Sequence, residues 1–474
     1  VADSWMSLTR RRMLGAAFFG GGTLLSRCGF GSTGRRLQTH GRYLLDRIPS
    51  CPPGLRDAVR FPLVEALHGR RARRFGLGCT IPDGPLAHQS RHEPVPLTEL
   101  EQMLLLTSIA GNTGWQYLIP HNDRYLPDIP NYAGAAGGRT FPSAGGIHTL
   151  EFFYTDDNGT YFLPTRDAPS LLPTDSGSDV DLNDYLAAHR ERIRKLSDQR
   201  LHIPQSPAHM EMHNAWCANR PGSTLVIPVA DAAQHGIANL CYWVQNRVCL
   251  FDDICGNEIP GIEKYRDLVD VDQPLPLSFA EQILTAELSA EVSTACYAGM
   301  LMLQALGLGG WLYGGINPFS VLGASGDPEV PGLGFHFQTD DRWPLPNVTG
   351  LPGVLEGFCP PHYAAMRDAV EAFVDRKYGP GGPFHPDTPG PYRETSRVRG
   401  SAAPHHPHFV DCVTTMATYI YETYGRFPAT MSPMFILTYL QAHHLDLDFY
   451  DHHFQDGAYL RTHADHMRQW HGQA

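Results

Sequence analysis

Hydrophobic and polar positions along the chain change rhythm several times, and each change marks an element. Residues 97–110, LTELEQMLLLTSIA, repeat apolar side chains at helical spacing behind Thr98, a residue type that caps helix starts. LEFFYTD (150–156) and GTYFLP (159–164) are aromatic, β-favouring runs around the turn residues Asp156, Asp157 and Asn158, and they predict a hairpin. STLVIPVA (223–230) predicts another strand. Residues 278–306 predict a long helix opened by Ser278 and Glu281 in capping-box spacing. Its second half is apolar nearly all round, which implies burial on every side or a subunit interface. Residues 379–409 are dense in Pro and Gly and read as a linker. A final helical region is expected over 409–470, and no internal repeat is visible.

Composition narrows the class. Of 474 residues, 42% are hydrophobic, and 37 basic against 49 acidic side chains leave a net charge of −12. A mildly acidic chain lacks the basic footprint of a nucleic-acid binder. No apolar run approaches the roughly 20 residues of a spanning helix. With 47 Gly and 39 Pro, the chain reads as a loop-rich enzyme or binding protein. Near the start, Arg10-Arg11-Arg12 precede a short apolar stretch to Leu25, the layout of a twin-arginine export signal over residues 1–34. The plainer alternative is a disordered basic arm on a cytoplasmic protein. Ten scattered cysteines include no Cys-x-x-Cys pair, so most read as small buried hydrophobes.

One GxGxxG occurs, Gly29 to Gly34, without the strand before it or the helix after it that a dinucleotide site needs. Three other segments carry more. Arg70-Arg71-Ala72-Arg73-Arg74 could grip a phosphate through charge-assisted hydrogen bonds. Around Pro142-Ser143-Ala144-Gly145-Gly146, small residues let a flat ligand approach the backbone, and Ser143 can hydrogen-bond it. Gly307 to Gly315 holds five glycines in nine residues, more than a helix C-cap requires.

In this order the three segments resemble the nitroreductase superfamily of FMN-dependent oxidoreductases, most closely the branch containing azoline (thiazole- and oxazole-forming) dehydrogenases. The resemblance covers roughly 60–340. It implies an α+β fold with a central, mostly antiparallel sheet flanked by helices over 60–345, followed by a helical, His-rich C-terminal extension over 346–474. It implies FMN held by Arg70, Arg71, Ala72 and Arg74 at the phosphate, with Ala72 departing from the family's usual Ser. Pro142, Ser143, Ala144 and Gly145 fall beside the ring and ribityl chain, with Asn112 an unresolved alternative at the pyrimidine end. Gly314 and Gly315 fall at the loop whose backbone addresses flavin N5. The activity implied is hydride transfer through N5 between NAD(P)H or an organic substrate and an acceptor, in a homodimer. A non-catalytic flavin binder is the second reading.

The third reading rests on histidine, of which there are 24. On a helix, His444, Asp448 and His452 share one face and could bind zinc or iron, making a metal-dependent enzyme. Surface or packing histidines are the plainer expectation, and no metal ligand is assigned.

Overall fold

The hairpin read at 150–164 seeds the central sheet. The computed structural model describes residues 43–48, 51–120, 132–166 and 180–472. Leu150–Asp156 (β1) and Gly159–Leu163 (β2) pair antiparallel, with Phe153 opposite Phe162. Arg194–Ser197 (β3) joins the outer edge of β2, and Thr224–Asp231 (β4) joins β1. Gly309–Tyr313 (β5), Met434–Phe435 (β6) and Tyr439–His443 (β7) complete the sheet. The order is β5-β7-β4-β1-β2-β3, with β6 on the end of β4 and every pairing antiparallel. The twin-arginine segment, the GxGxxG run and Cys28 lie outside the described residues.

Every residue of β4 is buried. Val226 and Ala230 join Leu150 and Phe152 in one apolar cluster, while Leu225, Ile227 and Val229 join Phe153 and Phe162 in another. That division follows the two-residue period of a strand. A strand covered on both faces is apolar throughout rather than alternating, which is why STLVIPVA shows no polar side.

Among the described residues the helices that bear on the sites are Glu99–Ala110 (α1), Ala232–Gln245 (α2), Leu277–Leu306 (α3), Met366–Tyr378 (α4), Pro407–Tyr424 (α5), Leu447–His453 (α6) and Arg461–His471 (α7). Further short helices occur elsewhere among the described residues. α1 and α3 share one apolar cluster with β1, β4 and β7. α2, α4 and α5 build a second one. Mixed helix and sheet agrees with the α+β expectation.

Several details differ from the sequence reading. α3 starts at Leu277 behind Pro276, and the Ser278–Glu281 box does not form. Glu281 instead turns to the 429–430 loop, accepting from Ala429 N, Thr430 N and Thr430 Oγ1. In the second half of α3, Val292, Ala295, Cys296 and Leu303 are buried, while Tyr297 reaches solvent. The Pro-rich stretch at 379–409 is packed rather than a linker. Arg399 within it is buried and donates to the carbonyls of Pro383 and Pro389, tying the stretch to itself. Residues 346–474 are not a helical appendage: they supply β6 and β7, and β7 lies inside the sheet between β5 and β4. No compact-unit boundary falls near residue 345. Among the described residues all nine cysteines are free thiols.

Candidate functional site

Folding brings the first and third segments together at the sheet edge. Arg73 extends the sheet beyond β5, its N–H donating to Gly310 O at 3.1 Å and Gly310 N–H donating back to Arg73 O at 2.9 Å. The side chain of Arg73 is buried and structural: it donates to Gln304 Oε1 (2.8 Å), Ala458 O (2.9 Å) and Gly69 O (3.1 Å). Burial lowers this guanidinium to about 10. Its neighbours point outward. Arg70 lies half-buried over the Tyr297 ring, Arg71 and Ala72 are exposed, and exposed Arg74 donates to Asn214 Oδ1 at 3.0 Å. Asn214 in turn abuts Gly315, where an added Cβ would stand 3.0 Å from its side-chain nitrogen.

The fold accounts for most of the glycines in the third segment. Gly307 is the left-handed C-cap of α3. A Cβ on Gly309 would meet Leu445 at 2.2 Å, and one on Gly310 would meet Gln441 O at 2.1 Å, so both are demanded by sheet packing. Gly315 is buried against Asn214 and Glu211. Gly314 is the member that faces solvent, with only Leu437 O near it.

The second segment sits elsewhere, at the start of β1. Ala144–Gly146 form a single tight turn, with φ of 57° at Gly145 and 68° at Gly146, so glycine is needed there for the turn itself. The Ser143 hydroxyl is committed internally: it donates to Glu291 Oε2 at 3.0 Å and accepts from His148 N at 2.9 Å. Pro142 and Ser143 line an open cleft of about 400 Å³ with Trp115, Arg139, Phe141 and His148. Asn112 is buried beside it, its Oδ1 accepting from Gly114 N at 2.8 Å.

His148 was not singled out by sequence. It adopts a left-handed backbone with φ of 54°, is buried, and its Nδ1 has no hydrogen-bond partner among the described residues. Burial first, then the charge of Arg139, push its imidazole down to about 3. A strained, unpartnered side chain at a cleft is a frequent mark of function. Its only trace in the sequence is its place directly after PSAGGI.

Within one chain the two halves of the expected site stand apart. Ser143 touches α3 at Glu291 and Arg70 touches it at Tyr297, six residues or roughly 9 Å along the axis. β1 and β5 are separated by β4 and β7. The short helix Leu63–Gly69, just before the arginines, exposes Leu63, Val64 and Leu67.

The tail histidines also fall differently from the expectation. His444 follows the end of β7, so it does not share a helix face with Asp448 and His452 of α6. Asp448 lies 3.3 Å from His92 Nε2 at the surface. No helix among the described residues is long and apolar enough to cross a membrane.

No protein-family model and no curated protein matches the chain. Among solved structures, a Ralstonia eutropha protein provisionally described as a nitroreductase is similar at 13% identity, over 62% of this chain and 84% of that one, with a TM-score of 0.25. So loose a superposition assigns no fold, and the strand order and local contacts are the guide.

Proposed function

We propose that the chain is an FMN-dependent oxidoreductase of nitroreductase type, transferring a hydride between NAD(P)H or an organic substrate and an acceptor. The observation that carries this reading is the meeting of Arg74 with the Gly314-Gly315 loop through Asn214, at the edge of an antiparallel sheet. Outward-facing Arg70, Arg71 and Arg74 suit an anionic phosphate. Exposed Gly314 leaves space for a planar ring system. Ser143 lines the site rather than donates to it, since its hydroxyl already has partners, whereas the Gly315 carbonyl accepts from Glu211 N–H and its own N–H is the group this reading aims at flavin N5.

The cleft beside Pro142 and Ser143 would then come from a second copy of the chain. Exposed Leu63, Val64 and Leu67 offer apolar surface for such a homodimer. A bound flavin supplies the redox chemistry at N5. The protein's own residues hold its phosphate, leave one ring face open and exclude water. The twin-arginine-like segment suits a protein that loads its cofactor before export to the periplasm.

Titrating FMN fluorescence with the purified chain tests the reading. Saturable binding, weakened about tenfold (roughly 1.4 kcal/mol) in Arg74→Glu, is expected. No saturable binding by the wild-type chain would dismiss it. Bound flavin that neither NAD(P)H nor any organic donor reduces would instead favour a binder without turnover.

A further inference from the structure

Where α1, the end of β7 and α7 meet, one buried carboxylate faces three imidazoles. Glu101 is fully buried, and its Oε1 lies 3.0 Å from His466 Nε2, 3.0 Å from His471 Nε2 and 3.6 Å from His444 Nε2. Its other oxygen is already engaged. Oε2 accepts from Thr98 N at 2.6 Å and from Thr98 Oγ1 at 2.7 Å, forming the capping box of α1.

The tautomers show what is missing. His444 Nδ1 donates to Val95 O at 2.8 Å, and His466 Nδ1 donates to Leu306 O at 2.7 Å. A neutral imidazole with its proton on Nδ1 presents a lone pair at Nε2. Both Nε2 atoms are therefore acceptors aimed at another acceptor, and neither has a hydrogen-bond partner among the described residues. His471 can donate one hydrogen bond to Oε1 but cannot serve the other two rings. His444 and His466 are buried, so water does not relieve the mismatch. A cation at the centre turns all of these contacts attractive.

We propose that Glu101, His444, His466 and His471 bind one divalent transition-metal ion of the zinc class as a closed structural centre. Three nitrogens and one carboxylate oxygen are a zinc-type donor set. Around a tetrahedral ion with bonds of 2.0–2.1 Å, ligand atoms sit roughly 3.3 Å apart. The separations from Oε1 bracket that value, and all four ligand atoms lie within 4.8 Å of one another. The carbonyls of Val95 and Leu306 act as the outer partners that hold ligating histidines in the Nε2-donor tautomer. With four protein ligands no position stays open for a substrate, so the ion would clip α7 to α1 and to the chain leaving β7. His471, the last residue of α7 and the least buried ligand, marks the way in.

The test uses the full chain, purified without a histidine tag or chelator. Elemental analysis should find close to one zinc per chain, a strong chelator should lower the thermal midpoint by several degrees, and cobalt replacement should give the intense visible bands of tetrahedral coordination. His466→Asn and Glu101→Gln should lose the metal. If those variants fail to fold, the wild-type metal count and cobalt spectrum still decide. A folded wild-type chain that holds no stoichiometric metal and takes up no cobalt overturns the centre, as does stoichiometric zinc retained by His466→Asn. The centre stands apart from the flavin reading: a colourless protein carrying one zinc would keep it.

Discussion

Glu101 on α1 and Glu291 on α3 are both buried glutamates on packed helices, yet their surroundings drive them in opposite directions. Glu291 accepts from Thr149 N at 2.9 Å and Ser143 Oγ at 3.0 Å, with His235 Nδ1 3.9 Å away, and burial pushes its carboxyl up. Burial alone would raise Glu101 too, but positive charge on the imidazoles of His444, His466 and His471, or on a cation they share, outweighs it and holds that carboxyl well below the usual range. Since burial is shared, the partners make the difference. Neutral dipoles stabilise a carboxyl group without demanding charge, whereas clustered imidazoles on one oxygen call for a positive charge among them. Glu291 thus anchors the turn that carries Ser143, while Glu101 gathers three distant elements.

The contrast is sharpest in a pair of isosteric substitutions. Glu101→Gln should cost about 3–5 kcal/mol in urea unfolding, as when one member of a buried charged cluster is removed. Glu291→Gln should cost about 1 kcal/mol, because a carboxamide resembles the neutral acid that its site favours. Equal losses would dissolve the distinction.

Acid titration comes next in size. Burial keeps His148 neutral down to about 3 and His189 down to about 4, below the ordinary histidine value of 6.5. The unfolded chain therefore binds more protons than the folded one between those values. The stability these groups contribute is intact above 6.5 and falls by about 1.4 kcal/mol per pH unit each as the pH drops toward 4. His148→Asn, which tolerates the left-handed backbone, should flatten part of this slope, and an unchanged slope would contradict its burial as a neutral ring.

Adjacent arginines provide the next comparison. Arg73→Met should lose about 1–3 kcal/mol by stranding its three acceptors. Arg74→Met should change stability by no more than about 0.5 kcal/mol while weakening FMN binding. A large stability loss at Arg74 would make it structural as well.

Local elements were legible where a local rule governs them. The hairpin, β4, α1 and α3 each follow from period, turn residues, a cap at the right spacing or, for β4, an unbroken β-favouring apolar run. β7 was not, because YLQAH buries the polar side chains of Gln441 and His443 and carries no β-branched residue, and it runs into a histidine-rich stretch with helical composition. That misreading placed His444 on a helix with Asp448 and His452, when its true neighbours are Glu101, His466 and His471. Neither the separation of Glu101 from the tail nor the five-residue step between His466 and His471 follows a one-face helical pattern, so only the packing of α1 against α3 and α7 reveals the group. The arginine run shows the same limit: sequence could nominate five residues but not that Arg73 turns inward.

The visible spectrum of the purified chain, with chemical identification of any released chromophore, tests the flavin assignment most directly. The account predicts about one FMN per chain, bleached by NAD(P)H or an organic donor and restored by air. A folded, colourless protein that takes up no added FMN would contradict it.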